Sequence, residues 1–111
     1  MDTRFWGPSG WKLLHLITYG YPIKPTIKDK QTYGLFFNAL KHILPCKYCR
    51  ISLSKFYNQL PIENYLQSKE MLTLWFYQIH NKVNNKLRRQ GLIKISNPKK
   101  NEIDVIYEKL I

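Results

Sequence analysis

The sequence predicts an all-α fold, a helical bundle built from five segments. Large apolar side chains recur at spacings of three and four along almost the whole chain. Proline, glycine, serine and asparagine interrupt these stripes where helices start or stop. No stretch alternates apolar and polar residues well enough to read as a strand, and no repeat or Ser/Gly linker divides the chain.

The opening Arg4-Phe5-Trp6-Gly7-Pro8-Ser9-Gly10 reads as a turn. From Ser9 the positions Trp11, Leu14 and Thr18, with His15 beside them, predict a first helix to about Tyr19. Pro22 and Pro25 break the pattern, and Tyr33, Phe36, Phe37, Leu40, Ile43 and Leu44 then form the stripe of a second amphipathic helix. Pro45 ends it, because proline disfavours helical geometry in the residue before it and suits the first turn of a new helix. Cys46 therefore sits at a helix start. In this third helix Cys46, Cys49, Leu53, Phe56 and Leu60 keep to one face, so both sulfurs are expected to look inward or across a cleft.

After Pro61 comes a connection. The longest helix follows from about Ser68 to Gln90, with Leu72, Trp75, Ile79, Val83 and Leu87 as its stripe and Gly91 as its stop. Asn97 and Pro98 read as the cap and first position of a short fifth helix carrying Ile103, Ile106, Tyr107 and Leu110.

A chain of 111 residues, 44% hydrophobic and 14% aromatic, is too apolar for a disordered tail and of a size for one domain over residues 1–111. The first 25 residues lack the apolar stretch and cleavage site of a signal peptide, and no apolar run is long enough for a bilayer, so neither export nor membrane anchoring is expected. The formal charge is +11, and no acidic residue lies between Glu70 and Glu102, where Lys82, Lys86, Arg88, Arg89, Lys94, Lys99 and Lys100 accumulate. Nucleic acid, the diphosphate of a cofactor, or simply solvent could face those charges.

The two cysteines, three residues apart, exclude a disulfide framework of the small secreted kind. At a helix N-terminus the orphan amides and the dipole favour thiolate, and Lys47 and Arg50 push the same way, so thiol–disulfide exchange is feasible. A zinc site would need two more ligands, and His15, His42 and His80 are the histidines on offer. A thioredoxin-like arrangement would need a strand before the cysteine helix, where the pattern is helical. Two inert buried cysteines are the plain alternative.

Gly7, Trp11 and His15 at intervals of four, then Pro45-Cys46-Lys47-Tyr48-Cys49, then Trp75 with His80-Asn81-Lys82-Val83-Asn84 and Leu87, resemble the Erv/ALR flavin-linked sulfhydryl oxidases in order and spacing. The resemblance covers residues 4 to about 90. It implies a four-helix bundle holding FAD at one end, with a short fifth helix, usually as a homodimer. It also implies that Cys49 lies against the flavin while Cys46 is the sulfur that exchanges with an incoming protein dithiol. Electrons then pass through flavin to molecular oxygen, giving hydrogen peroxide. By the same resemblance Trp11, His15, His80, Asn81, Val83 and Asn84 line the FAD pocket with Arg4, Gly7 and Leu87, Arg89 falls where the family has a basic residue, and Lys86 is a further candidate for the diphosphate. For Trp75 core packing is the better reading, and for His42 a structural role.

Two departures stand out. Many family members carry a second cysteine pair that shuttles electrons from the client, and this chain has none, so a client or partner thiol reaches Cys46 directly or the shuttle lies beyond Ile111. The cysteine that many cellular relatives place two residues after the long-helix tryptophan is Tyr77 here, so packing of the fifth helix must compensate for a missing disulfide. The low cysteine content, with heavy use of lysine, asparagine and isoleucine, looks like the versions encoded by large DNA viruses. The resemblance then implies disulfide formation in virion proteins, in the virion or the cytoplasm of the infected cell, with the mitochondrial intermembrane space as the alternative. The competing functions are a basic helical nucleic-acid-binding module, which leaves the cysteines unexplained, and a zinc-binding interaction domain. No metal site and no nucleic acid are expected.

Overall fold

The computed structural model describes residues 3–111, and side chains cap the starts of the helices that begin at Ile27, Lys47 and Lys69. Among the described residues the elements are α1 (Thr3–Tyr19), α2 (Ile27–Ile43), α3 (Lys47–Gln59), a 3₁₀ turn (Ile62–Tyr65), α4 (Lys69–Arg89) and α5 (Lys100–Glu108), with no strand.

Three starts differ from expectation. The segment read as a turn, Arg4 to Gly10, is helical, and α1 begins at Thr3 with Pro8 inside it. Proline removes one bond of the ladder, but here it is exposed near the helix start, where the loss is tolerated more readily than in the helix middle. Helix α2 begins at Ile27, well before Tyr33. Thr26 caps it, its hydroxyl accepting from the Asp29 N–H at 3.1 Å while the Asp29 carboxylate accepts from the Thr26 N–H at 2.8 Å. The stripe misses these first turns because Ile27 faces solvent. Helix α5 begins at Lys100, not Pro98, because Asn97 is drawn to α4, donating to Asn85 Oδ1 at 3.2 Å, and Pro98 offers its carbonyl to the Tyr77 hydroxyl. The Tyr77 hydroxyl thus ties down the approach to α5 at the position where the resemblance puts a cysteine.

The other boundaries follow the sequence. Ser68 caps α4, accepting from Met71 N–H at 3.1 Å. At the far end Gly91 takes φ +73°, the left-handed conformation that glycine adopts without strain. Cys46 is the N-cap of α3, so Pro45, expected in the first turn of this helix, stands instead just before its cap.

Helix α1 packs on α4, α2 on α3 and α3 on α4, and α5 lies across α1. The core between them holds Phe37, Leu72, Trp75, Phe76 and Ile79, each at most 1% exposed. Trp75 is a core residue, its indole N–H donating to the Leu60 carbonyl at 2.8 Å. Burying large aromatics with that donor satisfied fixes the α2–α3–α4 wedge. One end of the bundle, between α1, α3 and α4, stays open.

Candidate functional site

The open end is a cavity of about 370 Å³, within the range that holds small molecules and cofactors. Helix α1 supplies Arg4, Trp6, Gly7 and Trp11 to its wall, α3 supplies Cys49 and Ser52, and α4 supplies Phe76, His80, Val83, Asn84, Lys86 and Leu87. Helical spacing explains the selection, since Gly7 and Trp11 are one turn apart and Phe76, His80, Asn84 and Leu87 repeat every three or four residues.

Three aromatic rings and a hydrogen bond organise the α1–α4 wall. Trp11 stacks on His80 with centroids 3.7 Å apart and planes within 7°. His80 Nδ1 pairs with His15 Nε2 at 2.9 Å, one ring donating and the other accepting. His15 in turn stacks on Tyr107 of α5, centroids 5.1 Å apart. Burial pushes His80 down to about 4, and burial with the charges of His80 and Lys100 pushes His15 down to about 3. Both imidazoles are therefore neutral at pH 7, as a one-donor, one-acceptor pair requires. Trp6 Nε1, in the cavity lining, is buried with no hydrogen-bond partner among the described residues, the kind of orphan that a bound polar group satisfies.

The cysteines do not share one environment. Both were expected to look inward or across a cleft, yet only Cys49 lines the cavity. Cys46, at the N-cap, uses its Sγ to accept from the Cys49 N–H at 3.3 Å. Burial works against the Cys46 thiolate, but hydrogen bonds from the Cys49 side chain and from the Cys49 and Tyr48 amides outweigh it and hold the thiol below the ordinary range. Burial, then the hydrogen bond to Cys46 and the charge there, push Cys49 up to about 11 against the pull of Lys86 and Arg50. Lys86 takes the place that the sequence reading gave to Lys47: it reaches across from α4 to donate to Ser52 Oγ, while Lys47 is exposed.

Of the residues singled out from sequence, Arg4, Gly7, Trp11, Cys49, His80, Val83, Asn84, Lys86 and Leu87 come together in the wall. His15 stands behind His80, Cys46 at the rim, and Asn81 and Arg89 outside the lining, Arg89 being exposed. His42, expected to be structural, is exposed on the last turn of α2. Residues missed include Trp6, Ser52 and Phe76. Phe76 and Ser52 had a signal, lying four residues before His80 and three after Cys49. Leu40 of α2 and Leu44 at its C-cap also reach the cavity, and no local spacing announces a contribution from another helix. Among the described residues no three His, Cys, Asp or Glu side chains gather as a metal site would require.

A model of the Erv1/Alr family matches residues 8–103. A probable FAD-linked sulfhydryl oxidase of Acanthamoeba polyphaga mimivirus is 42% identical over 85 residues, covering 76% of this chain and 59% of that protein. A mitochondrial FAD-linked sulfhydryl oxidase of Saccharomyces cerevisiae is 36% identical over 88 residues, covering 79% and 46%. This chain thus spans about half the length of the curated relatives it matches. The crystal structure of the FAD-binding domain of that yeast protein superposes with a TM-score of 0.86 at 31% identity, covering 98% of this chain and 96% of that one.

Proposed function

The chain belongs to the Erv1/Alr family, and from that premise we propose that it acts as a single-domain FAD-dependent thiol oxidase. In this reading it makes disulfides from protein dithiols through Cys46 and Cys49 and delivers the electrons to molecular oxygen, giving hydrogen peroxide. The observation that carries the reading is the division of labour between the sulfurs, with Cys49 in the wall of an aromatic cavity and Cys46 outside it at the N-cap of α3.

The cavity suits a flavin dinucleotide. Trp11 and His80 give a flat floor, Arg4 and Lys86 give cations for a diphosphate, and Trp6 Nε1 offers an unused donor. A Cβ at Gly7 would meet no protein atom within 4 Å, so a side chain there would take up cavity space. The residues we assign to holding the cofactor are Arg4, Gly7, Trp11, Cys49, His80, Val83, Asn84, Lys86 and Leu87, with His15 fixing His80 from behind and Asn81 and Arg89 at the margin. When bound, FAD supplies the two-electron carrier that thiols alone lack between a dithiol and oxygen.

The chain's own part is an exchange. A client thiolate attacks Sγ of Cys46 in the Cys46–Cys49 disulfide, that S–S bond breaks, and Cys49 leaves as thiolate. The second client thiolate then attacks the client sulfur of the mixed disulfide, forming the client disulfide and releasing Cys46 as thiolate. Two electrons have moved from client to pair, and the client's two protons have gone to solvent. The depressed pKa of Cys46 makes it the better final leaving group, while Lys86 and Arg50 stabilise Cys49 when it carries charge.

The viral relatives, from mimivirus and African swine fever virus, support action in the virion or the cytoplasm of an infected cell, and the yeast relative's mitochondrial name marks the intermembrane space as the alternative. Among the described residues no helix is long and apolar enough to cross a membrane. A homodimer is supported by exposed Leu13 and Leu35 and by a hollow of about 180 Å³ between α1 and α2 lined by Ile17, Thr32, Tyr33 and Phe36. Light scattering of wild type and a Phe36→Asp variant tests it, the variant being expected as monomer.

The deciding experiment is a visible absorbance spectrum of purified protein before and after a dithiol under nitrogen. Flavin bands that bleach and return in air are expected. A colourless protein that does not take up FAD, with a salt-sensitive nucleic-acid shift or stoichiometric zinc, would replace the oxidase with one of the binding modules.

A further inference from the structure

The segments that flank Cys46 carry charge of one sign. Between Asp29 and Glu63 the chain has no acidic residue, while Lys30, Lys41, His42, Lys47, Arg50 and Lys55 fall within that stretch. It forms most of α2, the Cys46 N-cap and all of α3. The acid-free stretch from Glu70 to Glu102 forms nearly all of the helix packed against α3.

Hydrogen bonding in this region leaves the charge in place. Arg50 donates to the Leu44 carbonyl, Lys86 to Ser52 Oγ, Lys82 to Gln59 Oε1 and Arg88 to the Ile95 carbonyl. Every one of these acceptors is neutral, so the donors are satisfied while the field persists. Lys100, by contrast, is neutralised by Asp104 on α5.

The same surface is apolar in patches. Tyr48 is 74% exposed, Ile51 58% and Ile43 66%. Lys47, Ile51 and Lys55 follow one another at intervals of four, so they share an outward stripe of α3 that runs away from Cys46. Cations alternating with exposed apolar side chains beside a nucleophilic sulfur make a surface for a segment carrying the opposite charge and an apolar anchor.

We propose that the outward face of α3 with the last turn of α2 is a client-docking surface, selecting dithiols carried on acidic segments that seat an apolar side chain against Tyr48 and Ile51. The proposal rests on the oxidase reading and names its substrate class. Charge complementarity raises the encounter rate and falls with salt. The field also favours thiolate on an acidic client, whose own carboxylates would otherwise hold its thiols protonated.

The test compares the flavin-loaded protein on two peptides sharing one Cys-X-X-Cys core and one apolar residue, flanked by glutamates in one and lysines in the other, with dithiothreitol as a small uncharged control. At low salt kcat/KM is expected to be about tenfold or more higher for the acidic peptide, converging at high salt. Lys41→Glu/Lys55→Glu is expected to remove or invert the preference with the dithiothreitol rate and flavin spectrum unchanged. Lys41→Gln/Lys55→Gln, the milder change, is expected to fall between. Equal rates for the two peptides at low salt, with dithiothreitol oxidised normally, overturn the docking proposal alone. Failure of the wild type to oxidise dithiothreitol overturns the oxidase reading beneath it. Retention of a short DNA duplex by wild type but not by the charge variants, with both peptides oxidised alike, gives the surface to nucleic acid and overturns the proposal.

Discussion

Cys46 and Cys49 are one helical turn apart and yet lie in two different media. Cys49 borders an aromatic cavity, and its thiol is pushed up to about 11 mainly by burial. Cys46 sits at the open N-cap, where the Cys49 thiol and the Cys49 and Tyr48 amides stabilise its charge. Helix geometry alone would favour both as thiolates. At Cys49 burial, the hydrogen bond to Cys46 and the charge there work against that preference, at Cys46 local hydrogen bonds outweigh burial, and one short motif thereby supplies both an exchanging sulfur and a sheltered one.

The sharpest way to break this contrast is to remove one sulfur at a time. Cys49→Ser is expected to abolish dithiol oxidation while keeping flavin, because without the Cys46–Cys49 disulfide a client thiolate has no S–S bond to attack. Cys46→Ser is expected to be equally inactive. Retained turnover in Cys49→Ser would end the division of labour argued above. Without substitution, alkylation of the reduced protein across a pH series separates the two thiols, with one reacting below the ordinary thiol range and the second only toward pH 11.

A smaller effect is expected at the sheltered wall. His80→Ala removes the ring stacked on Trp11 and the partner of His15 Nε2. A buried polar group left unpaired costs about 1–3 kcal/mol. Flavin retention and the denaturant midpoint are both expected to drop while alkylation of Cys46 keeps its rate. Loss of Cys46 reactivity in that variant would mean that the two environments are not separable.

Acid probes the same wall without mutation. His80 and His15 stay neutral in the fold down to about 4 and about 3, whereas in the unfolded chain they take protons near 6.5. Between those values the unfolded state binds more protons, so stability falls as pH drops below about 6.5, by at most ~1.4 kcal/mol per pH unit for each histidine. Above that range the pair contributes no pH dependence. Urea midpoints from pH 7.5 to 4.5 check it, and a flat profile would mean that the two rings are not held neutral.

Much of this was legible in the residues. The stripes on α2 and α4 placed the core, and the intervals of four from Gly7 to His15 placed one wall of the cavity. The legible part is what one helix encodes by itself. The ends were harder, because the first turns of α1 and α2 face solvent or contain Pro8, and the start of α2 is set by the Thr26–Asp29 cap. Contributions from across the bundle, Leu40, Leu44 and the Lys86–Ser52 bridge, have no spacing to betray them. The one-sided exposure of the cysteine pair was hidden for the same reason, since it depends on where α1 and α4 stand relative to α3.

The smallest effect concerns α5, which backs the sheltered wall through Tyr107 on His15 while burying no residue of its own. It is held instead by polar ties. Tyr19 donates to Asp104 Oδ1 at 2.6 Å, Lys100 donates to Thr73 Oγ1 of α4 at 3.3 Å, and Tyr77 donates to the Pro98 carbonyl. Tyr77→Phe removes the last tie and leaves a carbonyl that water can reach, so the loss is expected near the low end for a hydrogen bond, about 0.5 kcal/mol. That corresponds to a fall in Tm of a few degrees for a domain of this size. Hydrogen exchange is expected to speed up in α5 and leave the N-terminal turn of α3 unchanged. Faster exchange at the Cys49 amide as well would show that the environment of the exchanging sulfur is propped from behind by α5, and that the two regions share one support.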